Sequence, residues 1–476
     1  MKTFILTPGL IAIAVLCGYT ASAGVTDHAK VAVQFETDAY YVSPTGDNSN
    51  PGSLGEPWAT PGFGSRQLSP GDTLIILGGR YSLSVFDDCI ITPPSGRRFA
   101  WTTIKGEAGS PPILAGSENL NRAVDLSGRS YIWIENLEIT NDSGALFRDG
   151  IAATGDPSSH IVLKNLDIHH LDEFGIDIGD VSDLKIIDCT ITHCGFGAVG
   201  GPAGEHGGWR NVRIIGCSLS YSGHYYQGGP GPGPYDRPDG FGIASSSGPI
   251  EIENTIAEYN RGDGLDSKAE NTYIHECFVA NNSCDGIKLR GGGSRIENVL
   301  VYGGSDGNPG VTPWAAVVIG TDDTGAIFDL INVTVDDATG NNHLMYVQYD
   351  QPNVPINLTV VNTIFRARGP GSQIYLADAV NFVMGHNLFY FPGSSMILQH
   401  GSIRDYLSTD VGDLGPGNLY GNPLFVDPGF GSDGDYHLQA GCPAIDAGTS
   451  ILSPSLDLEG QPRPQSDGYD IGCYER

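Results

Sequence analysis

The sequence is short of positive charge. It has 25 lysine and arginine residues against 55 aspartate and glutamate residues, a net charge of −30 at pH 7. This imbalance excludes a protein that binds nucleic acid through its overall charge, although an acidic polymer could still bind at a basic patch or through a bridging cation. After residue 23, no apolar run reaches the roughly 18 residues that a membrane-spanning helix needs, so we expect no membrane span.

Residues 1–23 have the pattern of a secretory signal peptide. Lys2 is their one charge, an apolar run follows, and Ala21-Ser22-Ala23 supplies the small residues of a cleavage site. We therefore predict a secreted protein that begins at Gly24, with an uncleaved N-terminal anchor as the alternative. Of the nine cysteines, only Cys17 would be removed, and the others would lie where disulfides can form.

Short strings of alternating apolar and polar residues recur along the chain, for example HIVLKNLDI (160–168) and SRIENVLVY (294–302). Aligned on one position, which we name the asparagine column, they recur at steps of at least 22 residues. The column consists of Asn136, Asn165, Asp188, Gly216, Asn254, Glu276, Asn298, Asn332, Asn362 and Asn387. One strand at this spacing cannot bury its apolar face alone, whereas stacked coils bury it against each other.

The repeat predicts an all-β protein, a right-handed parallel β-helix, whose asparagine column stacks at a turn with each amide bonding the next coil. A β-sandwich is the alternative, but it does not explain the minimum step. We divide the chain into a signal peptide (1–23), an N-terminal extension and cap (24–115), the β-helix with the active site (116–400) and a C-terminal capping segment (401–476).

A second column consists of glycines that mark tight corners before a strand. Its members are Gly150, Gly175, Gly197, Gly240, Gly264 and Gly286. The residue after each glycine is predicted to point inward and the next one outward, because side chains alternate along a strand. The outward set is Ala152, Asp177, Val199, Gly242, Asp266 and Lys288. Two glycine-rich stretches, 200–209 and 222–238, would flank this face as walls of a cleft, or would be surface insertions without a role.

Carboxylates and an amine come together on three successive coils. Asp239, Asp263 and Asp285 share one corner position, whereas Asp266 and Lys288 share one outward position. Adjacent coils lie about 4.8 Å apart, and a calcium–oxygen bond is about 2.4 Å, so one calcium ion between two coils can reach carboxylates from both. The alternative is that the corner aspartates cap turns and the lysine is a surface residue.

The motifs PDGF (238–241), GDGLD (262–266) and DGIKL (285–289) resemble those of the family 9 polysaccharide lyases, the pectate lyases with a ten-coil β-helix. The stretches at 40–60 and 70–81 also look like the opening of such proteins. The resemblance implies a calcium site at Asp239, Asp263 and Asp266, with Lys288 as the catalytic base. The family's paired aspartate is Gly262-Asp263 here, and Asp285 is the candidate replacement ligand.

The implied reaction is β-elimination on a uronate polymer. Lys288 would remove the C5 proton, calcium on the C6 carboxylate would stabilise the charge that develops, and Arg290 and Lys268 would bind substrate. We therefore predict a secreted, monomeric, calcium-dependent lyase that acts on an acidic polysaccharide, with pectate as the expected polymer. The alternatives are a lyase on alginate or a glycosaminoglycan, and a non-catalytic β-helix that binds glycans.

Other motifs carry weaker interpretations. Thr321-Asp322-Asp323 is expected to be a loop turn, and Asp177 a surface residue. His169-His170 with Asp172 could suggest a metal, but adjacent strand residues face opposite ways, so we expect solvent and turn roles.

Residues 422–476 look like the C-terminal segment of many secreted β-helix proteins, which would cap the last coil and cover a sheet edge. In that resemblance Cys442 and Cys473 suggest a disulfide, while Cys189 and Cys217 are either stacked inward thiols or a bridge.

Overall fold

The computed structural model describes residues 37–84, 90–117, 120–141, 147–202, 204–225, 238–304, 315–337, 343–368, 373–429 and 434–476. The chain winds into stacked coils, and successive coils pair in parallel in two large sheets of 24 and 12 strands. This arrangement confirms the predicted all-β parallel β-helix. The signal peptide, Cys17, Cys89 and most of the loop at 222–238 lie outside the described residues.

The 12-stranded sheet carries the candidate site. Its neighbouring strands are parallel except for the last pair, which is antiparallel. The strands are Leu120–Asp125, Phe147–Ala153, Phe174–Ile178, Gly197–Gly201, Asp239–Ser246, Leu265–Ala269, Ile287–Leu289, Ala315–Ile319, His343–Val347, Ile374–Leu376, Met396–His400 and Arg404–Leu407.

The 24-stranded sheet supplies the other two faces of the coils. Its first face is formed by Ala39–Val42, Thr73–Ile76, Thr102–Gly106, Ser130–Asn141, Ser158–Leu171, Val181–Ile187, Trp209–Ile215, Ile250–Glu253, Thr272–His275, Ser294–Glu297, Ile327–Ile331, Ile356–Val361 and Val380–Gly385. Its second face is formed by Arg80–Leu83, Ile113–Gly116, Thr190–Cys194, Ser218–Ser220, Ile256–Glu258, Phe278–Ala280, Leu300–Gly303, Thr334–Asp337, Ile364–Ala367, Leu388–Tyr390 and Leu419–Tyr420. Ser130–Asn141 and Ser158–Leu171 are long enough to continue from one face into the other.

The core is a set of apolar columns along the solenoid axis. In the 12-stranded sheet, the inward positions Ile151, Ile176, Phe241, Leu265 and Ile287 are all fully buried. Each such side chain contributes about 1.5–3 kcal/mol when it is removed from water. Because every coil buries its row against the next one, the apolar alternation favours one register over most of the sheet.

The asparagine column forms the turn between the two faces of the larger sheet. Its first nine members have left-handed backbones, with φ between 48° and 65°, a conformation that asparagine and glycine tolerate better than most residues. The tenth prediction is wrong by one residue: His386 has φ 54°, while Asn387 is fully buried. The expected amide ladder forms at two steps, Asn165 Nδ2 to Asn136 Oδ1 at 3.0 Å and Asn362 Nδ2 to Asn332 Oδ1 at 3.4 Å. Between Asn298 and Asn332 it is replaced, because Asn332 Nδ2 donates to carbonyls of the C-terminal residues Asp470 and Gly472.

The glycine column marks corners as predicted, with one exception. Gly197 pairs with Phe174 and with Asp239 rather than with the preceding glycine, Gly175. The inward residue of that coil is consequently Val199, and the outward one is Gly200. The predicted inward Ala198 and outward Val199 are therefore wrong, because the chain has one extra residue before the pairing resumes.

Different elements cover the two ends of the solenoid. The helix Pro61–Gln67 lies over the first coil, where Gly64 approaches Val42 and Leu74. The strand Arg404–Leu407 and the 3-10 helix Ser408–Leu414 follow the last coil. Among the described residues, no helix has the length and apolar character needed to cross a membrane.

Residues 422–476, which we name the flank segment, lie along the side of the solenoid. They include the antiparallel pair Phe425–Asp427 and Asp435–Leu438. Their apolar side chains form a second core with coil residues such as Leu300, Ile364 and Leu388. The segment thus covers a lateral sheet surface, while the residues before it close the last coil.

The cysteines do not form the expected bridge. All seven cysteines in the described part of the chain are buried thiols outside any disulfide, including Cys442 and Cys473. The Cys442–Cys473 prediction is therefore not met in this structure. Of the two alternatives for Cys189 and Cys217, the structure has stacked inward thiols.

Candidate active site

The candidate site lies on three neighbouring strands of the 12-stranded sheet. The register aligns Gly242 with Asp266 and Asp266 with Lys288. These residues belong to a row that we name the outer column, because its side chains leave the inner core. In order along the solenoid it contains Asp125, Ala152, Asp177, Gly200, Gly242, Asp266, Lys288, Val318, Tyr346, Tyr375 and Gln399.

The corner aspartates form a ladder of backbone hydrogen bonds. Asp239 Oδ1 accepts from the Asp263 N–H at 2.6 Å, and Asp263 Oδ1 accepts from the Asp285 N–H at 2.8 Å. Asp285 Oδ1 in turn accepts from the Ala315 N–H at 3.2 Å. Each corner carboxylate therefore holds the corner of the next coil with one oxygen. The turn-capping role was the structural alternative, and the ladder shows that these residues have it.

Three of the predicted metal ligands also meet each other. Oxygens of Asp239, Asp263 and Asp266 lie within 4.8 Å of one another. Asp285 is outside that group of three. Buried carboxylates this close repel each other strongly unless a cation or a proton compensates them.

Lys288 supplies a cation in this structure. Its Nζ lies 3.0 Å from Asp263 Oδ2 and 3.4 Å from Asp266 Oδ2, and 15% of its side chain is exposed. Lys268 Nζ contacts the same Asp266 Oδ2 atom at 2.7 Å. Both lysines predicted from the sequence are thus brought to the same carboxylate.

The electrostatics of the group follow from burial and like charge. Burial, and then the charges of Asp263 and Asp266, raise the pKa of Asp239 well above its ordinary value. Burial alone would lower the pKa of Lys288, but the carboxylates of Asp263, Asp266 and Asp285 outweigh it and raise that pKa. The amine is therefore held as an ammonium ion between the carboxylates.

Two glycines make room for the Asp239 carboxylate. A Cβ atom added at Gly242 would lie 2.6 Å from Asp239 Oδ2, and one added at Gly262 would lie 2.3 Å from Asp239 Oδ1. Gly262 is the position where the resembling family has its additional aspartate. The space that a side chain would need at position 262 is taken here by Asp239 and the backbone of Pro238.

The residues present fit a calcium ion. The donor set is three carboxylates, which are the hard oxygen ligands that calcium prefers. Asp266 is 4% exposed, yet its Oδ1 atom has no hydrogen-bond partner. A buried carboxylate oxygen without a partner is costly, and a coordinated cation would satisfy it.

A polar cleft of about 360 Å³ opens beside this group. Lys268 and Arg290, the two predicted substrate-binding residues, both line it. The opposite side contains Thr321, Asp322 and Asp323, whose backbone turn is closed by the Asp323 N–H bonding Thr321 Oγ1 at 3.2 Å. This confirms the loop turn at 321–323. The residues that line the cleft include none from 200–209, so its described walls differ from the predicted ones.

Three tyrosines that the sequence motifs did not predict lie near the site. Tyr346 and Tyr375 lie on the outer column beyond Lys288, and Tyr349 contacts both. The signal was available in the strings HLMYVQY (343–349) and QIYLA (373–377). It became meaningful only with the register, which aligns both tyrosines with Lys288.

A second group of acidic residues lies at the other end of the same column. Burial, and then the charge of Asp177, raise the pKa of Asp149 to about 7. Burial likewise raises the pKa of Asp177 to about 6, although Arg122 opposes this. Asp177 is half-buried, and not the simple surface residue that the sequence suggested.

The histidine pair differs from its prediction. The Nδ1 atoms of His169 and His170 lie 2.8 Å apart. The rings meet because His170 has φ 58° and leaves the extended strand conformation. Asp172 is buried and accepts a hydrogen bond from the Phe147 N–H at 3.0 Å. The expected turn role is therefore present, but the expectation that the rings face opposite ways is wrong.

One further group could in principle hold a metal. It consists of Glu251, Glu253 and His275 on the larger sheet. Arg213 already contacts Glu251 at 2.6 Å and Glu253 at 2.9 Å. A guanidinium is permanently charged, so this group is an ion-pair network with its own resident cation.

Comparison with known proteins adds a family and a fold. The family model of the Pel9A-like right-handed β-helix region matches residues 40–298. The structure of XylC in complex with xylose has a TM-score of 0.59 at 10% identity and covers 92% of this chain and 99% of that one. The crystal structure of pectate lyase Pel9A has a TM-score of 0.51 at 16% identity and covers 92% and 96%. Curated proteins give no match. The coils are therefore right-handed, and the fold is related to that of polysaccharide lyases.

Proposed function

Since the chain belongs to the Pel9A-like right-handed β-helix family, we propose that it is a secreted, calcium-dependent lyase that cleaves a uronate polymer by β-elimination, with pectate as the polymer. The observation that carries this proposal is the contact of Lys288 with Asp263 and Asp266. Asp239 has an oxygen within 4.8 Å of those two carboxylates, so an amine and three carboxylates meet at one place on the 12-stranded sheet. Asp239, Asp263 and Asp266 would hold the metal.

Lys288 is the proposed base. β-Elimination breaks the C5–H bond, forms the C4–C5 double bond and expels the C4 oxygen with its glycosidic electrons. The lysine Nζ accepts the C5 proton, and the leaving oxygen takes a proton from solvent. When bound, calcium supplies the positive charge that stabilises the substrate's C6 carboxylate and offsets the carboxylates that retain the Lys288 proton.

The protonation state of Lys288 sets the pH dependence. Only a neutral amine can accept the proton, and the neighbouring carboxylates raise the pKa of Lys288. The neutral fraction therefore grows as the pH rises, so we expect activity to increase toward alkaline pH.

Lys268 and Arg290 are the proposed substrate-binding residues. Both line the 360 Å³ cleft beside the carboxylates, and Arg290 is oriented by Asp350 at 3.4 Å. A guanidinium can bind a substrate carboxylate through two parallel hydrogen bonds. Because the cleft also contains Glu270, Asp322 and Asp323, the two cations would act as local contacts for substrate carboxylates and do not make the cleft positive overall.

The test is the formation of unsaturated uronate, followed by its ultraviolet absorbance. Polygalacturonate, alginate and a glycosaminoglycan are each incubated with the protein, with calcium and with excess chelator. We expect calcium-dependent product from polygalacturonate. If only alginate or the glycosaminoglycan gives product, that polymer replaces pectate as the substrate. If the protein binds these polymers but forms no product from any of the three, a non-catalytic glycan-binding protein is favoured.

A further inference from the structure

A patch of three tyrosines lies on the same sheet as Lys288. The ring centroids of Tyr346 and Tyr349 are 4.7 Å apart and nearly parallel, at 25°. Tyr375 contacts both rings, at 5.1 Å and 6.0 Å. Tyr349 is 55% exposed, so the patch presents aromatic surface to solvent. We name these three residues the tyrosine patch.

The register places the patch at a defined distance from the proposed base. Lys288 aligns with Val318, Val318 with Tyr346, and Tyr346 with Tyr375. With about 4.8 Å between rungs, Tyr346 is roughly 10 Å and Tyr375 roughly 14 Å from Lys288 along the solenoid axis. A polymer that lies along the outer column from Lys288 would reach the patch with a sugar a few units away.

The loop that carries Tyr349 is fixed by a buried amide. Gln348 is fully buried and has φ 56°. Its Oε1 accepts from the Thr321 N–H at 2.7 Å, and its Nε2 donates to the carbonyls of Thr321 at 3.0 Å and Val354 at 2.9 Å. Because buried, satisfied polar contacts define one conformation, the exposed Tyr349 ring is held in place before any ligand arrives.

Polar groups suited to a sugar lie next to the patch. Gln351 is half-buried and lines the cleft, and its Oε1 atom has no hydrogen-bond partner. Arg290 lies beside it, and Gly320 leaves the space between them open, since a Cβ there would lie 3.1 Å from Arg290 Nη1 and 3.4 Å from Gln351 Oε1. An aromatic face with hydrogen-bonding groups at its edge complements a pyranose ring, which has an apolar face and a rim of hydroxyls.

We infer that the tyrosine patch is a carbohydrate subsite, which stacks on a pyranose of the same polymer while Gln351 accepts a hydroxyl hydrogen bond. The inference rests on the proposed function for the identity of the polymer. It adds a direction, because the bound polymer then extends from Lys288 toward the strand Ile374–Leu376.

The experiment compares a long and a short ligand in an inactive background. Calorimetry measures the binding of hexagalacturonate and digalacturonate to Lys288→Ala, which lacks the proposed base and is expected not to turn them over during the measurement, with and without Tyr349→Ala. We expect Tyr349→Ala to weaken hexagalacturonate binding by roughly tenfold, the size typical of one aromatic contact. Digalacturonate, which is too short to span both places, should bind with unchanged affinity.

Three further variants test whether an effect of Tyr349→Ala comes from the loss of an aromatic ring in the tyrosine patch. Tyr349→Phe retains the ring and should retain the affinity, whereas Tyr375→Ala should weaken hexagalacturonate binding as Tyr349→Ala does. Tyr420→Ala is the matched control, because Tyr420 is 39% exposed on the larger sheet. Equal hexagalacturonate affinity in Tyr349→Ala, Tyr420→Ala and the background protein would overturn the subsite, and so would a background protein that does not bind hexagalacturonate.

The outcome separates this inference from the proposed function. If Tyr349→Ala weakens binding but the parent never forms unsaturated product, the subsite stands and the lyase proposal fails. If the parent is an active lyase and its KM for the polymer is the same in Tyr349→Ala, the lyase proposal stands and the subsite fails.

Discussion

Two groups of aspartates lie three rungs apart on the same sheet, and they are built alike. In each, a corner aspartate is followed on the next rung by an aspartate of the outer column: Asp149 and Asp177 in one, Asp239 and Asp266 in the other. Each corner aspartate also accepts a backbone hydrogen bond from the next corner, Phe174 N–H at 3.2 Å or Asp263 N–H at 2.6 Å.

The difference lies in what occupies the next corner. In the first group it is Phe174, whose ring lies over Gly200, and the nearby cations are the guanidiniums of Arg122 and Arg148. In the second group it is Asp263, which adds a third carboxylate, and the next rung adds the amine of Lys288. Both groups therefore have an aspartate pair at equivalent positions, and Asp263 and Lys288 are the additions that make the second group fit calcium and general-base chemistry.

The amine is the largest difference between the two groups, and its removal should have the largest effect. Lys288→Ala is expected to reduce kcat by at least about 100-fold while polymer binding persists, because the base is needed only in the transition state. Initial rates and calorimetry measure the two quantities. The control is Lys185→Ala, an exposed lysine on the larger sheet. A Lys288→Ala enzyme with more than about a tenth of the parental kcat would exclude this residue as the base.

The next largest expected difference between the two groups is in how much calcium stabilises the protein through each of them. At a calcium concentration 100 times its Kd, the parent's free energy of unfolding should rise by about 2.7 kcal/mol. Asp266→Asn should lose most of that gain, whereas Asp177→Asn, the equivalent change in the first group, should retain it. Chemical denaturation with and without chelator measures the gain. The assignment fails if both variants respond to calcium as the parent does.

For the first group, we expect the free energy of unfolding to depend on pH even when no metal is present. The pKa of Asp149 is raised from its ordinary value to about 7, so the folded state binds this proton more tightly than the unfolded state. Stability is therefore expected to fall as the pH rises from about 4 to 7. Asp149→Asn removes that loss, with a gain of about 1–3 kcal/mol at pH 8 and little change at pH 4. Urea unfolding at the two pH values is the measurement, and an equal effect at both would contradict the assignment.

The glycines provide the smallest and most local comparison. Gly262→Ala would place a Cβ 2.3 Å from Asp239 Oδ1, and Gly200→Ala would place one 2.6 Å from Phe174 Cε1. Both should cost roughly 1–3 kcal/mol of stability by overpacking. We expect only Gly262→Ala also to weaken calcium binding, by roughly tenfold, because it displaces a proposed ligand. Calorimetry with calcium on both variants tests this, and equal affinities would show that Asp239 does not bind the metal.

The sequence was sufficient for the coils and for most of the site, because both depend on a repeated local pattern. Asp239 and Asp263 share one repeat position and Asp266 and Lys288 share another, so their neighbourhood follows from the repeat. The one-residue register shift at Gly197 and the left-handed backbone of His386 could not be derived from the sequence. One extra residue at a corner moves the pairing of a strand without changing the pattern of apolar and polar residues within it. The tyrosine patch depends on contacts between Tyr349, in a loop, and two separate strands, which no local pattern specifies.

The flank segment has a consequence for the order of events during synthesis. Arg463 bonds Asn298 across 165 residues, and the Cys473 N–H bonds Thr334 across 139. The middle coils are therefore translated long before the flank segment that covers them. Until that segment is made, the side chains of Leu300 and Ile364 remain exposed on the surface that it later covers. Such distant pairing is slow to form and leaves apolar surface open meanwhile. We therefore expect the middle coils to be the last part of the solenoid to reach their final structure. In a ribosome-stalled chain that lacks residues 452–476, proteases should cleave most readily in those middle coils.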